Sequence, residues 1–139
     1  MKLIYIFEVL FLTIETIKDI KTQTVGVWEL LIFLIIGFIL KIFWFQESLC
    51  KVILSMLVGV IMLVISYLSR EALGYGDGMV VLVTGVLCGI KLTLITICNA
   101  FFVMSVLAVY LFIRKGFFNK EKVPFVPCIL VGFLGGLFL

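Results

Sequence analysis

The chain has 139 residues, of which 65% are hydrophobic and only 14% charged, with a net charge of +3. Soluble domains average roughly 45–50% apolar and 25% charged residues, and one of this length has too little interior to hide such an excess. The composition therefore excludes an ordinary water-soluble globule and points to the bilayer as a second apolar solvent; the small, scattered positive charge leaves no footprint for nucleic acid.

Apolar stretches that approach the roughly 20 residues needed to cross hydrocarbon recur along the whole chain. They predict one membrane-embedded domain over 1–139, an all-α, polytopic bundle of about six transmembrane helices near 2–18, 25–45, 49–69, 77–91, 94–113 and 124–139. The first stretch imitates a signal peptide, but Glu8 interrupts it and no small-x-small cleavage site follows, so it reads as a retained helix. Gly78 to Ile113 is a 36-residue stretch. It holds either two short helices with a turn around Gly89, Lys91 and Thr93, or one helix, which gives a count of six or five.

With six helices the connections alternate between two faces. One face collects seven of the eleven Lys and Arg residues: Lys18, Lys21, Arg70, Arg114, Lys115, Lys120 and Lys122. The other has Lys2, Lys41, Lys51 and Lys91. The positive-inside rule then places the first face in the cytoplasm. The two aspartates of the chain, Asp19 and Asp77, both fall on it.

The first helix carries Glu8, Glu15 and Asp19. At 100° per residue these lie within about 20° of one direction and form a single polar stripe. Ionisable residues in membrane segments usually face the bundle interior or a wet cavity. A stripe that merely lines the interior is an equal reading for Glu8 and Glu15. Further on, Gly74-Tyr75-Gly76-Asp77-Gly78 precedes an apolar helix. Its glycines break helix and allow close backbone approach, and an aspartate there meets the positive end of the helix dipole. Two neighbouring carboxylates share a proton, so one can act as general base on water while the other donates to a peptide carbonyl.

The chain has no histidine, which excludes a His-based hydrolase and a His-ligated metal. Its cysteines, Cys50, Cys88, Cys98 and Cys128, have no CxxC spacing and read as small core residues. No metal or cofactor is expected.

Gly74-Tyr75-Gly76-Asp77 resembles the GxGD motif of the type IV prepilin peptidases, which are membrane aspartyl proteases. Asp19-Ile20-Lys21 through Val25 resembles the segment after that family's first helix. Gly85-Val86-Leu87-Cys88-Gly89 resembles its paired glycines, and Pro124-Phe125-Val126-Pro127 its PFGP-type segment. These occur in the family's order over most of the chain. The resemblance implies catalytic Asp19 and Asp77, supported by Gly74, Tyr75, Gly76 and Gly78, with Glu15 a candidate for tuning them. It also implies removal of a short, basic leader peptide from pilin-like precursors at the cytoplasmic face of the plasma membrane. Two positions depart from the pattern: Met79 stands where many members carry lysine, and Val126 replaces a glycine. The larger members' N-terminal extension is not seen, so a stand-alone peptidase without methyltransferase activity is expected.

Three other readings compete. GYGD also ends the TVGYGD filter of potassium channels, but Ala72-Leu73 replaces Thr-Val and Ser48 to Ser69 reads as a full span rather than a pore helix. Presenilin-like proteases share the GxGD motif, but their PAL motif is missing. A non-catalytic pilus or secretion assembly protein is the third.

Overall fold

Between Gly78 and Ile113 the chain breaks once. Gly89 adopts φ +80°, a left-handed conformation natural to glycine, and its N–H donates to the Gly85 carbonyl at 3.0 Å. Two helices therefore meet there, and the count is six. The computed structural model describes residues 2–22, 26–44, 46–68, 74–115 and 124–138. Among them run α1 (Lys2–Thr22), α2 (Val27–Ile39), α3 (Leu49–Leu68), α4 (Tyr75–Cys88), α5 (Ile90–Lys115) and α6 (Val126–Phe138), with no strand. Val25, Arg70, Ala72, Leu73, Lys120 and Lys122 lie outside the described residues.

Two boundaries differ from the sequence expectation in ways that matter. Helix α1 continues past residue 18 to Thr22, which puts Asp19 inside its last turns rather than in a connection. Helix α4 starts at Tyr75, so Asp77 lies in its first turn and not at its head. In addition, α2 does not end cleanly but widens into a π-helical turn, Leu40–Trp44. Such turns insert an extra residue and re-aim side chains. Here the turn buries Lys41, whose ammonium pairs with Glu47 at 2.8 Å.

Contacts between successive helices show an up-and-down order. Phe7 and Phe11 on α1 meet Phe33 on α2, and Lys18 pairs with Glu29, so these two helices are antiparallel. Gly78 faces Leu63 while Gly85 faces Ser55, so α3 and α4 are antiparallel too. Along α5 and α6, Gly136 meets Leu92 and Ile95, Gly132 meets Thr96 and Ala100, and Phe125 stacks near Phe101. The same sense joins α1 to α6, with Asp19 at Val126 and Tyr5 at Phe133. One end of the bundle thus gathers the C-termini of α1, α3 and α5 and the N-termini of α2, α4 and α6.

Helix α4 is the axle. Every residue from Val80 to Leu87 is buried, on all sides of the helix, as expected of one enclosed by neighbours. It touches α1, α2, α3 and α5. Close approach to α3 depends on glycine. A Cβ at Gly85 would lie 2.5 Å from the Ser55 carbonyl oxygen, and one at Gly78 would lie 2.8 Å from a Leu63 methyl. The outer helices turn large apolar side chains outward, among them Ile6, Ile35, Ile61 and Phe102.

Three stretches, Val27–Trp44, Leu49–Leu68 and Ile90–Arg114, are long and apolar enough to cross a membrane. Helices α4 and α6 are shorter, at 14 and 13 residues. At 1.5 Å per residue they reach only about 20 Å, against about 30 Å of hydrocarbon. The chain is an all-helical membrane protein in which long helices surround a short, buried one.

Candidate active site

Asp77 is placed by the glycine before it. Gly74 takes an extended conformation and caps α4 without a side chain to do so. The Asp77 N–H donates to the Gly74 carbonyl at 3.1 Å, while the Asp77 carboxylate folds back and accepts from the Gly74 N–H. This is one half of a capping box, the acidic side chain of the third helical residue reaching back to the N-cap N–H. A Cβ on Gly74 would sit 3.2 Å from Asp77 Oδ2, so glycine leaves room for the carboxylate. Within the motif, then, Gly74 serves the aspartate and Gly78 serves contact with α3. Tyr75 is exposed, and Met79 packs against the core.

Asp19 is held from a different direction. It is 7% exposed, and its Oδ2 accepts a hydrogen bond from the Val126 N–H at 3.2 Å. The Phe125 N–H also acts on it. These donors are available because the first N–H groups of a helix have no partner within it. Pro127 costs nothing in that first turn, since its missing N–H would have been an orphan. Phe125 is buried and rests on Phe101 with ring centroids 5.5 Å apart, which fixes where α6 begins. Sequence reasoning singles out the proline segment only by resemblance. That it supplies donors to Asp19 depends on backbone atoms, which carry no residue-type signal.

The two aspartates lie at the same end of the bundle, within electrostatic reach of each other. Asp19 acts electrostatically on Asp77, and both act on the Cys128 thiol of α6. Three elements remote in sequence, α1, α4 and α6, therefore place these groups at one end of the bundle, within electrostatic reach of one another. No Lys or Arg among the described residues forms an ion pair with either aspartate; the ion pairs found there are Lys18–Glu29 and Lys41–Glu47. Lys18, beside Asp19 in sequence, is turned away to Glu29 on α2. Two carboxylates that feel each other's charge, partly withdrawn from water, are more cheaply kept with one of them protonated than as two negative charges. Such a pair can both accept and donate a proton.

Glu8 and Glu15 lie on the same stripe of α1 and are fully buried, and their carboxylate oxygens have no partner at hydrogen-bond distance among the described residues. Their surroundings differ. Glu15 sits one turn from Asp19 and interacts with it and with Lys18. Glu8 faces Thr84 and Cys88 towards the opposite end, where Lys41 also acts on Cys88. No three Asp, Glu, Cys or His side chains among the described residues converge as a metal-holding group.

Comparison with curated proteins and with solved structures returns no significant match to the chain. A family model does match, that of the type IV leader peptidase family, over residues 6–109. This stretch contains both aspartates, all of α4 and most of α5, and stops before α6. A match over well more than half of the chain, on a bundle that joins Asp19 to Asp77, places this protein in the type IV leader peptidase family.

Proposed function

We propose that the protein is a membrane aspartyl endopeptidase of the GxGD type, with Asp19 and Asp77 as its catalytic pair. It removes the short basic leader peptide from pilin-like precursors at the cytoplasmic face of the plasma membrane. The observation that carries this reading is the electrostatic coupling of Asp19 on α1 to Asp77 on α4, with no ion pair to either among the described residues.

In the reaction, one carboxylate takes a proton from a water molecule as its oxygen attacks the scissile carbonyl carbon. The other carboxyl, protonated, donates to the carbonyl oxygen, giving a neutral tetrahedral intermediate. Collapse of that intermediate breaks the C–N bond as the proton gained in the first step passes to the leaving amine, while one hydroxyl of the intermediate returns its proton to the carboxylate that donated and becomes the carbonyl of the new acid. The pair ends with one shared proton, as it began, and it titrates as a unit, so the roles belong to the pair. The Val126 N–H holds Asp19 in place through these exchanges. A leader rich in Lys and Arg suits the acidic end of the bundle, and the excess of Lys and Arg on the same predicted face supports its cytoplasmic placement.

A potassium-channel reading fits the backbone poorly. A filter lines its pore with the carbonyls of an extended strand, whereas Tyr75 to Asp77 are helical here.

The test is co-expression with a pilin-like precursor, comparing wild type with Asp19→Asn and Asp77→Asn at equal membrane insertion. Loss of the leader is expected with wild type alone. Processing that persists in either variant would remove the pair from the mechanism. A wild type that leaves the precursor intact while the precursor is still assembled would favour the non-catalytic assembly reading.

A further inference from the structure

We infer that Glu15 is a third carboxylate of this site, a positioning residue that acts through Asp19 and governs the pH range over which the aspartate pair holds its single proton. The inference rests on the aspartyl peptidase reading above.

Glu15 and Asp19 are four residues apart on one helix, so they occupy the same face about 6 Å from each other. Glu15 has no exposed surface, and both of its carboxylate oxygens lack a hydrogen-bond partner among the described residues. A buried polar atom left unpaired is costly and is retained where it has something to do. The charged groups around it have other engagements. On its own helix, the Lys18 ammonium is bound to Glu29 of α2, and Asp19 is bound to the first turn of α6. On α4 the titratable group at this end is Asp77, and on α6 it is Cys128, each acted on by Asp19. Lys18, though bound to Glu29, still acts on Glu15 and offsets part of its charge, and Glu15 and Asp19 repel each other when both are ionised. A third negative charge one turn behind the pair adds to the cost of ionising both aspartates, which extends the singly protonated state upward in pH.

Glu8 is a built-in control. It has the same side chain, lies on the same stripe and is likewise fully buried, but the residues it interacts with are Thr84 and Cys88 rather than an aspartate.

The experiment is the pH profile of kcat and of kcat/KM for cleavage of a precursor peptide by purified wild type, Glu15→Gln, Glu15→Asp and Glu8→Gln. Removing the Glu15 charge should move both limbs of the profile to lower pH by about half a unit to two units, as expected for unit charges about 6 Å apart in a partly screened site. KM should change little. Glu15→Asp, which keeps the charge, should restore much of the wild-type profile, and Glu8→Gln should leave it in place. Glu15→Ala serves as a second neutral variant if Glu15→Gln inserts poorly. A uniform drop in kcat with no displacement of the limbs would reduce Glu15 to a packing role and overturn the inference. An unchanged profile in both neutral variants would do the same. Absence of cleavage by wild type would instead overturn the peptidase reading, and the inference with it.

Discussion

The two ends of the bundle handle buried carboxylates in different ways. At one end Asp19 on α1 and Asp77 on α4 act on each other, backed by N–H groups of α6 and Gly74, with no ion pair to either among the described residues. At the other end Glu8 lies against Thr84 and Cys88, and a buried lysine, Lys41, is turned inward by a π-helical turn and paired with Glu47. Both ends place acid in a region that favours apolar groups. Only the first combines two acids with backbone donors, which is the requirement for moving protons in both directions.

That contrast can be broken or sharpened by substitution. The largest effect is expected at Gly85, in the helix shared by both ends. A leucine there must displace the Ser55 carbonyl from 2.5 Å. Overpacking of this kind costs about 1–3 kcal/mol or more. Loss of folded, inserted protein, read by detergent-resistant thermal unfolding, is the expected outcome for Gly85→Leu. Next comes Val126→Pro, which removes the N–H that holds Asp19 while keeping a residue suited to the first position of a helix. A hydrogen bond to a charged group is worth about 1.5–3 kcal/mol, so cleavage should fall about ten- to a hundredfold with the α-helical circular dichroism unchanged.

At the opposite end the expected effects are smaller and confined to stability. Lys41→Met breaks the pair with Glu47, whose side chain is 38% exposed and can be resolvated. The cost should be about 1 kcal/mol or less in thermal unfolding, with cleavage retained. The smallest effect belongs to Glu8→Gln, which should alter the cleavage rate by less than about twofold, since a group outside the reacting constellation contributes no transition-state stabilisation. A large loss of activity from either substitution would mean that the two ends work as one.

Much of this was legible in the sequence. The six helices follow from apolar length, and Gly89 with its neighbours marks the break between α4 and α5. The alternation of connections puts Asp19 and Asp77 at one end without any knowledge of packing. The 100° periodicity identifies Glu8, Glu15 and Asp19 as a single stripe, and all three do face the interior. The rest depends on contacts that local pattern does not encode. In a lipid-soluble chain the core side and the lipid side of a helix are both apolar, so α4, enclosed on every side, reads much like α3, which has a lipid-facing side. The inward turn of Lys41 comes from a change of helical pitch at Leu40–Trp44, where the residues still look like a continuing helix. The donors to Asp19 are backbone groups 106 and 107 residues away, and any residue but proline would supply them. The start of α4 at Tyr75 reflects the fold-back of Asp77 onto Gly74, which makes the aspartate part of the first turn.

The central claim is that Asp19 and Asp77 act as one unit. The most direct measurement is the cleavage rate of a purified precursor by wild type, Asp19→Asn, Asp77→Asn and the double variant, at matched insertion and thermal stability. Groups that share a single proton-transfer task are strongly non-additive. Each single substitution should therefore lower the rate by about a thousandfold or more, and the double variant should be no slower than either. A single variant that keeps substantial activity, or losses that multiply in the double variant, would contradict the account.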